Sequence, residues 1–183
     1  MRANLVDTEF TTAYLGLGSN LGDRAGNLLL AVRALIEADF CVHKLSAIYE
    51  TEPIDIESDL NFLNMVAELR VTNIRPSQMM ARLLRIEYLL GRGDKTEKKP
   101  RTVDLDILFF GEICLESEFL TLPHPRLHLR KFVLVPFAEI APTFIHPVLD
   151  LSITDILANV DDTSDVRRWD PNNPAAHELA AKS

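Results

Sequence analysis

The sequence predicts an α+β fold in which an antiparallel sheet packs against helices. Strand-like and helix-like segments alternate along the first 111 residues in the order β-α-β-β-α-β. The two consecutive strand-like segments, 41–54 and 62–71, lie close together in the chain, which favours antiparallel pairing. The segment 75–92 has the clearest helical spacing of apolar residues.

The first half of this order starts with AYLGLGS (13–19), which predicts a short buried strand. Apolar residues at helical spacing predict a helix over 27–37, with Asn20 or Asp23 as a candidate cap. The segment 41–54 is rich in strand-forming residues and predicts the second strand.

The second half starts with FLNMVAELRV (62–71), which predicts a long strand. In the helix predicted over 75–92, Pro76 suits the first turn and Gly91 suits the position after the last turn. A charged loop over 93–100 leads to the next core strand, TVDLDILFFG.

The C-terminal third predicts smaller additions. We expect a short strand within 114–122, then a loop and an apolar helix or turn within 124–142 that Pro136 and Pro142 interrupt. A last short helix is predicted over 152–160.

The β-α-β-β-α-β order is that of the ferredoxin-like, split βαβ plan, with C-terminal additions. Two helices would cover one face of the sheet, and the other face would be free for a ligand. We expect a leader at 1–11, one domain over 12–160, and a polar, poorly ordered tail over 161–183.

Composition excludes several classes of protein. The 183 residues include 47% apolar and 25% charged side chains, as in soluble globular proteins. The net charge of -8 argues against nucleic acid as a partner, and no apolar run reaches the roughly 18 residues that span a membrane. Cys41 and Cys114 belong to no CxxC pair, so we expect buried free thiols and a cytoplasmic location.

Two acids, Asp104 and Asp106, open the core strand TVDLDILFFG. Residues two apart on a strand share a face, so both carboxylates point the same way while Leu105 and Ile107 point to the other side. A divalent metal would remove the repulsion between them, and all-oxygen ligands favour Mg²⁺. The alternative is a solvated acidic face on an edge strand.

Cations flank the two acids on both sides in the sequence. Before them stand Arg92, Lys95, Lys98, Lys99 and Arg101; after them stand His124, Arg126, His128, Arg130 and Lys131. Beside a metal-binding acid pair, arginines suit phosphate groups. His124 or His128 is either a metal ligand, an anion contact or part of a surface loop, and the all-carboxylate partners favour the anion contact.

The motif GLGSNLG (16–22) has one residue too many for the dinucleotide fingerprint, and no phosphate-binding loop of the G-x-x-x-x-G-K-[ST] type is present. We interpret its glycines as serving a tight turn between strand and helix.

Six blocks in order give the chain a family resemblance. These blocks are YLGLGSNLGDR, IYETEPI, FLNMV, RIEYLLGR, PRTVDLDILFFG and LPHPRLHLRKFVLVPFAEIAP. Over roughly residues 13–146 the chain resembles the 6-hydroxymethyl-7,8-dihydropterin pyrophosphokinases of folate synthesis. The resemblance implies transfer of pyrophosphate from ATP to the hydroxymethyl oxygen of the pterin, release of AMP, two Mg²⁺ ions, and other folate-pathway enzymes as possible partners.

The resemblance also implies site residues. The implied catalytic residues are Arg92, Arg101, Asp104 and Asp106, of which the two aspartates hold the metal. The implied ATP contacts are Glu87, Arg92, Arg101, Ile107, His124 and Arg130. The implied pterin contacts are Thr51, Pro53, Ile54, Asn64 and Phe132.

The chain departs from the family pattern just before the acids. Lys98 and Lys99 stand where relatives commonly have tryptophan and glycine, Asp94 replaces an arginine, and Asp55 replaces a glycine. These changes motivate an alternative function, a catalytically impaired relative that only binds nucleotide or pterin. A ferredoxin-like RNA-binding module fits less well, because its strands need aromatic pairs and a basic sheet.

Overall fold

The computed structural model describes residues 10–51, 61–91 and 102–172. In chain order they form β1 (Thr11–Ser19), α1 (Arg24–Glu37), β2 (Cys41–Leu45), β3 (Tyr49–Thr51), β4 (Phe62–Val71), α2 (Pro76–Leu89), β5 (Asp104–Phe110), β6 (Leu115–Glu116), β7 (Thr121–Leu122), a 3₁₀ turn (Leu127–Leu129), α3 (Lys131–Ile140), α4 (Ile153–Asn159) and β8 (Val166–Arg168).

The main sheet has the order β5-β1-β4-β3-β8, and β2 also pairs with β4. The pairs are antiparallel, and β1 lies between β4 and the edge strand β5. In the split βαβ plan the first strand lies between the third and the fourth, and here β4 and β5 take those two places. The predicted α+β, ferredoxin-like fold is confirmed.

One face of the sheet packs against α1 and α2. Alternate residues of the strands, such as Leu15 and Leu17 of β1 and Leu63 of β4, are fully buried there against Leu28 and Leu83 of the helices. The cap of α1 is Asp23, whose side chain accepts a hydrogen bond from the Gly26 N–H at 3.0 Å. The helix begins at Arg24, three residues before the predicted start.

The other face of the sheet is covered at one end by α3 and α4, so the prediction that this face is free is wrong there. Tyr14 of β1 packs against Phe137 of α3 with ring centroids 4.7 Å apart, and Phe109 and Phe144 complete an aromatic cluster. Pro136 does not interrupt α3, because it is buried and its helix is held by packing on the sheet.

Two further predictions about local structure are wrong. The strand predicted over 41–54 is divided into β2 and β3 at Ser46, whose side chain accepts the Val66 N–H at 2.9 Å in place of a backbone group. Cys41 and Cys114 are free but exposed, because β2 is a short strand at the sheet edge and Cys114 follows the turn after β5.

The prediction of a poorly ordered tail from Asp161 is wrong for residues 166–168. They form β8, which pairs with β3 in the register Thr51↔Val166. The next residue, Trp169, donates its backbone N–H to the Ile48 carbonyl at 2.9 Å and packs against the core. Because residues 166–168 are mostly polar, the sequence pattern did not indicate that they pair with the edge of β3. No helix within the described ranges is long and apolar enough to cross a bilayer.

Candidate active site

Two carboxylates lie on the face of the sheet that packs against α3 and α4, at the end that these helices do not cover. Asp104 and Asp106 lie half-buried on β5, while Leu105 and Ile107 between and after them are buried in the core on the other face. The prediction that the two carboxylates share a face is confirmed. β5 is an edge strand of the described sheet, and Asp106 also lines a cavity beyond that edge.

Glycines stand directly opposite the two acids on β1. The register pairs Gly18 with Asp104 and Gly16 with Asp106. A methyl group at Gly18 would lie 3.0 Å from the Asn64 Oδ1 and 4.0 Å from the Asp104 Cβ. The turn interpretation is therefore wrong for these two glycines, and only Gly22, with φ of +63°, lies in the turn. Their two-residue spacing, which matches that of the acids, was the available signal for their role.

Asn64 of β4 continues this row across the sheet. It pairs with Gly18, so Asn64, Gly18 and Asp104 lie side by side on three adjacent strands. Two strand spacings place Asn64 about 9–10 Å from Asp104. The Asn64 amide is 7% exposed and donates a hydrogen bond to the Thr51 Oγ1 at 2.8 Å. The structure thus brings two of the predicted pterin residues together beside the acids.

A cavity of about 250 Å³ lies along the outer edge of β5, between α2 and the β6–β7 hairpin. Its lining is Met80, Asp106, Ile107, Ser117, Glu118, Phe119, Leu120, Thr121, His124 and Pro125. The volume is slightly below the range of about 300–1,000 Å³ that is typical of small-molecule sites. The cavity brings together two predicted ATP residues, Ile107 and His124, with one predicted metal ligand, Asp106.

His124 is neutral at pH 7. Burial and the nearby charges of Arg130 and Arg126 lower the pKa of its imidazole to about 4, although Asp104 acts in the opposite direction. Its Nδ1 accepts the Arg126 N–H at 3.3 Å. In a neutral ring this leaves the proton on Nε2, which is then a hydrogen-bond donor. A donor suits an anion rather than a metal ion, so the anion-contact interpretation of His124 is favoured.

Arg130 and Phe132 stand at the start of α3. The guanidinium of Arg130 lies over the Phe132 ring, 5.4 Å from its centroid. The positive charge of Arg130 also lowers the pKa of His124, so the guanidinium acts on the His124 imidazole as well. The start of α3 therefore joins a predicted ATP contact to a predicted pterin contact.

Glu87 of α2 braces the strand that carries the acids. The residue is 1% exposed, and its Oε1 accepts the backbone N–H of Leu105, between the two aspartates, at 2.8 Å. Glu87 is not part of the cavity lining, and its predicted contact with ATP stays a prediction. Its Oε1 contacts the backbone of β5.

We expect Glu87→Ala to lower the free energy of unfolding by about 2–3 kcal/mol, since it leaves a buried N–H without its acceptor and opens a cavity. Glu87→Gln keeps an amide oxygen at the same place and should lose less than about 1 kcal/mol. Urea unfolding followed by circular dichroism measures both. Equal stability of Glu87→Ala and the unmodified protein would contradict this role.

Several predicted site residues lie outside the described part of the chain. These are Pro53, Ile54, Arg92 and Arg101, together with the departures at Asp55, Asp94, Lys98 and Lys99.

The donor set at the acids fits Mg²⁺ better than a transition metal. The described residues contain no group of three or more histidine, cysteine or acidic side chains arranged to hold a metal ion. Mg²⁺ needs only one or two carboxylates, because it keeps several waters and binds substrate phosphates. Asp104 and Asp106, which lie beside Gly18 and Gly16 of the neighbouring strand, meet that requirement.

Comparisons with known proteins agree with this arrangement. The family model for 7,8-dihydro-6-hydroxymethylpterin-pyrophosphokinase matches residues 14–142. The 2-amino-4-hydroxy-6-hydroxymethyldihydropteridine pyrophosphokinase of Bacillus subtilis is 46% identical over 129 residues, which cover 70% of this chain and 77% of the relative. The protein with that name from Aquifex aeolicus is 36% identical over 137 residues, or 75% of this chain and 84% of the relative.

Other relatives are longer. The folic acid synthesis protein fol1 of Pneumocystis carinii is 38% identical over 87% of this chain, which spans 21% of that protein. A crystal structure of an HPPK-DHPS in complex with substrates shares the fold, with a TM-score of 0.67 at 17% identity, over 82% of this chain and 43% of that one. From the family match and the two bacterial relatives, the chain belongs to the 7,8-dihydro-6-hydroxymethylpterin-pyrophosphokinase family.

Proposed function

We infer that the protein transfers the pyrophosphoryl group of ATP to the hydroxymethyl oxygen of 6-hydroxymethyl-7,8-dihydropterin, with release of AMP, in folate biosynthesis. The observation that carries this inference within the family is the row Asn64–Gly18–Asp104. It sets an amide suited to a heterocycle about 9–10 Å from a carboxylate suited to a metal–phosphate complex, with no side chain between them.

We propose that Mg²⁺ binds at Asp104 and Asp106, with two ions sharing the pair and the phosphates of ATP. Bound there, the metal would neutralise charge on the phosphoryl group that is transferred. The position of the acids at an edge strand lets phosphates approach from the cavity and the pterin approach from the sheet face.

The cavity suggests how ATP is oriented. Its apolar walls, Met80, Ile107 and Leu120, suit a base, and its other lining residues include Asp106 and His124, which suit metal-bound phosphates. The neutral His124 would donate from Nε2 to a phosphate oxygen. Arg130 beside it would add positive charge along the bound phosphates, and the predicted contacts Arg92 and Arg101 would add it where negative charge spreads in the transition state.

Asn64 suits the hydrogen-bonding edge of a pterin. One of its N–H groups is used by the Thr51 Oγ1, which fixes the amide plane. The Oδ1 faces the space above Gly18, where it can accept an N–H from a flat heterocycle. The Phe132 ring at the start of α3 would stack on the bicycle. With both substrates aligned, direct transfer to the hydroxyl oxygen needs no covalent enzyme intermediate.

We propose a cytoplasmic location and, since several relatives are named bifunctional folate synthesis proteins, contact with another folate enzyme. Co-purification of a second folate enzyme with the tagged protein from its own cells would test the latter.

The proposed reaction predicts AMP from ATP only when the pterin is present. Purified protein should release AMP in proportion to the 6-hydroxymethyl-7,8-dihydropterin consumed when Mg²⁺ is added, and none when the metal is chelated. Chromatography of the nucleotides measures this. Calorimetric binding of ATP or pterin by folded protein without any AMP would instead indicate the non-catalytic alternative.

A further inference from the structure

The helix α3 starts without a cap of its own. Arg130 at the N-cap makes no capping hydrogen bond through its side chain, and the first turn contains no acidic residue. The first N–H groups of a helix lack partners inside the helix, and the helix dipole makes this end positive. Arg130 and Lys131 add two positive charges to the same end.

A distant acid supplies what α3 lacks. Asp162, 31 residues further along the chain, accepts the backbone N–H of Lys131 at its Oδ2, 2.7 Å away. Its Oδ1 accepts the Ser164 N–H at 2.9 Å, and the Lys131 ammonium reaches the Ser164 carbonyl at 3.2 Å. Although burial acts to raise it, the hydrogen bonds from Ser164 and Lys131 and the Lys131 charge hold the pKa of Asp162 below its ordinary value.

The same C-terminal segment, residues 162–169, then joins the edge of β3. Val166 pairs with Thr51, and the Trp169 N–H is bonded to the Ile48 carbonyl. Thr51 in turn holds the Asn64 amide. One short segment therefore connects the start of α3, where Arg130 and Phe132 stand, to the strand that orients Asn64.

We propose that Asp162 is a positioning residue of the active site: by capping α3 from the C-terminal segment, it fixes Arg130 and Phe132 against the substrates. This inference rests on the proposed function, which places those two side chains in contact with ATP and pterin. A residue that acts only through them changes the binding of both substrates more than the rate of the chemical step.

Two variants remove the same hydrogen bond from opposite sides. Asp162→Ala removes the acceptor. Lys131→Pro removes the donor at the first helical position, where proline is favoured, and the extended backbone of Arg130 (φ -128°, ψ 108°) accepts a following proline. The matched controls are Lys131→Ala, which keeps the N–H, and Asp161→Ala, which removes an exposed neighbouring acid. Asp162→Asn tests rescue, because an asparagine oxygen also caps helices.

We expect Asp162→Ala and Lys131→Pro each to raise KM for both substrates about tenfold, well within the loss of about 100-fold that a 1 Å misplacement can cause. Their kcat should change by less than about twofold, since the groups at the reacting phosphate are untouched. Both controls and Asp162→Asn should stay within about threefold of the unmodified protein. The double variant should be no worse than either single one, because both remove one interaction.

Binding measured by calorimetry keeps this test separate from that of the reaction. If the unmodified protein makes no AMP, the proposed reaction fails, but the dissociation constants for ATP and pterin still decide the role of Asp162. Unchanged KM and dissociation constants in folded Lys131→Pro would overturn the proposal, even if the melting temperature fell. If Asp162→Ala does not fold, Lys131→Pro decides alone.

The lowered pKa of Asp162 gives a further readout. A carboxyl whose pKa is lower in the folded state stabilises the fold above its ordinary pKa of about 3.8, and this contribution is lost as the pH falls through the lower, folded value. Asp162→Asn should remove this part of the acid dependence of the melting temperature. The same acid dependence in Asp162→Asn and in the unmodified protein would show that the carboxylate charge does not act on the fold.

Discussion

Asp104→Asn and Asp106→Asn should each reduce AMP release about 1,000-fold or more, because each replaces a proposed anionic metal ligand with a neutral amide of the same shape. The two side chains share the face of β5 that looks over Gly16 and Gly18. Initial rates at saturating ATP, pterin and Mg²⁺ measure the effect. The loss should appear in kcat, since the charge that the proposed metal would neutralise is largest in the transition state.

The matched control for these variants is Glu112→Gln, which neutralises an exposed acid just past the other end of the same strand. It should keep the rate of the unmodified protein within about twofold, as surface substitutions away from the site usually do. Turnover above one tenth of normal in either aspartate variant would refute the metal assignment.

The free energy of unfolding of the two variants distinguishes a role of Asp104 and Asp106 in the reaction from a role in holding the fold. Two carboxylates one strand repeat apart, about 6.6 Å, repel by roughly 0.6–2.5 kcal/mol for effective dielectric constants between 80 and 20. Either substitution removes that repulsion, so without metal we expect the free energy of unfolding to fall by less than about 1 kcal/mol or to rise. A large loss of stability would mean that the acids hold the fold.

Sequence patterns predicted the sheet well where burial is one-sided. The predicted strand 62–71 has the bounds of β4, and the parity of Asp104 and Asp106 follows from the two-residue repeat of a strand. The patterns failed where tertiary contacts decide. Pro136 continues a helix because it is packed against a sheet, and the polar residues 166–168 form a strand because β3 offers an open edge.

The sequence indicated which residue types the candidate site contains, but not the contacts that hold them in place. The acids and His124 could be identified from residue type and motif. Asp162 could not, since it caps a helix 31 residues away and no local pattern indicates this contact. The glycines of β1 were visible, yet their role depends on which strand lies beside them, and the pairing of β1 with both β4 and β5 is a property of the topology.

Gly18→Ala should raise KM for the pterin about tenfold, because Asn64 must shift by a few tenths of an ångström. The larger Gly18→Val should raise it up to about 100-fold, the loss that a displacement of about 1 Å can cause. The φ of Gly18 is not in the left-handed region, so backbone conformation does not require glycine there. Space does, because an added Cβ would meet the Asn64 Oδ1 at 3.0 Å. Asn64 cannot move away easily, as its amide is buried and held by Thr51.

Gly16→Ala is the informative comparison, because its added methyl would meet only the Leu108 side chain, at 3.5 Å, which is ordinary contact. We expect it to raise KM for the pterin far less than Gly18→Ala does. Alanine is also favoured over glycine within a strand by about 0.5–1 kcal/mol, so Gly16→Ala should unfold at the normal temperature or above. In Gly18→Ala the tight contact with Asn64 offsets this gain, so its unfolding temperature should stay near normal. Activity lost without stability lost would show that Gly18 is kept for the space in front of Asn64. A normal KM for the pterin in Gly18→Ala would mean that the substrate does not approach Asn64 across that strand.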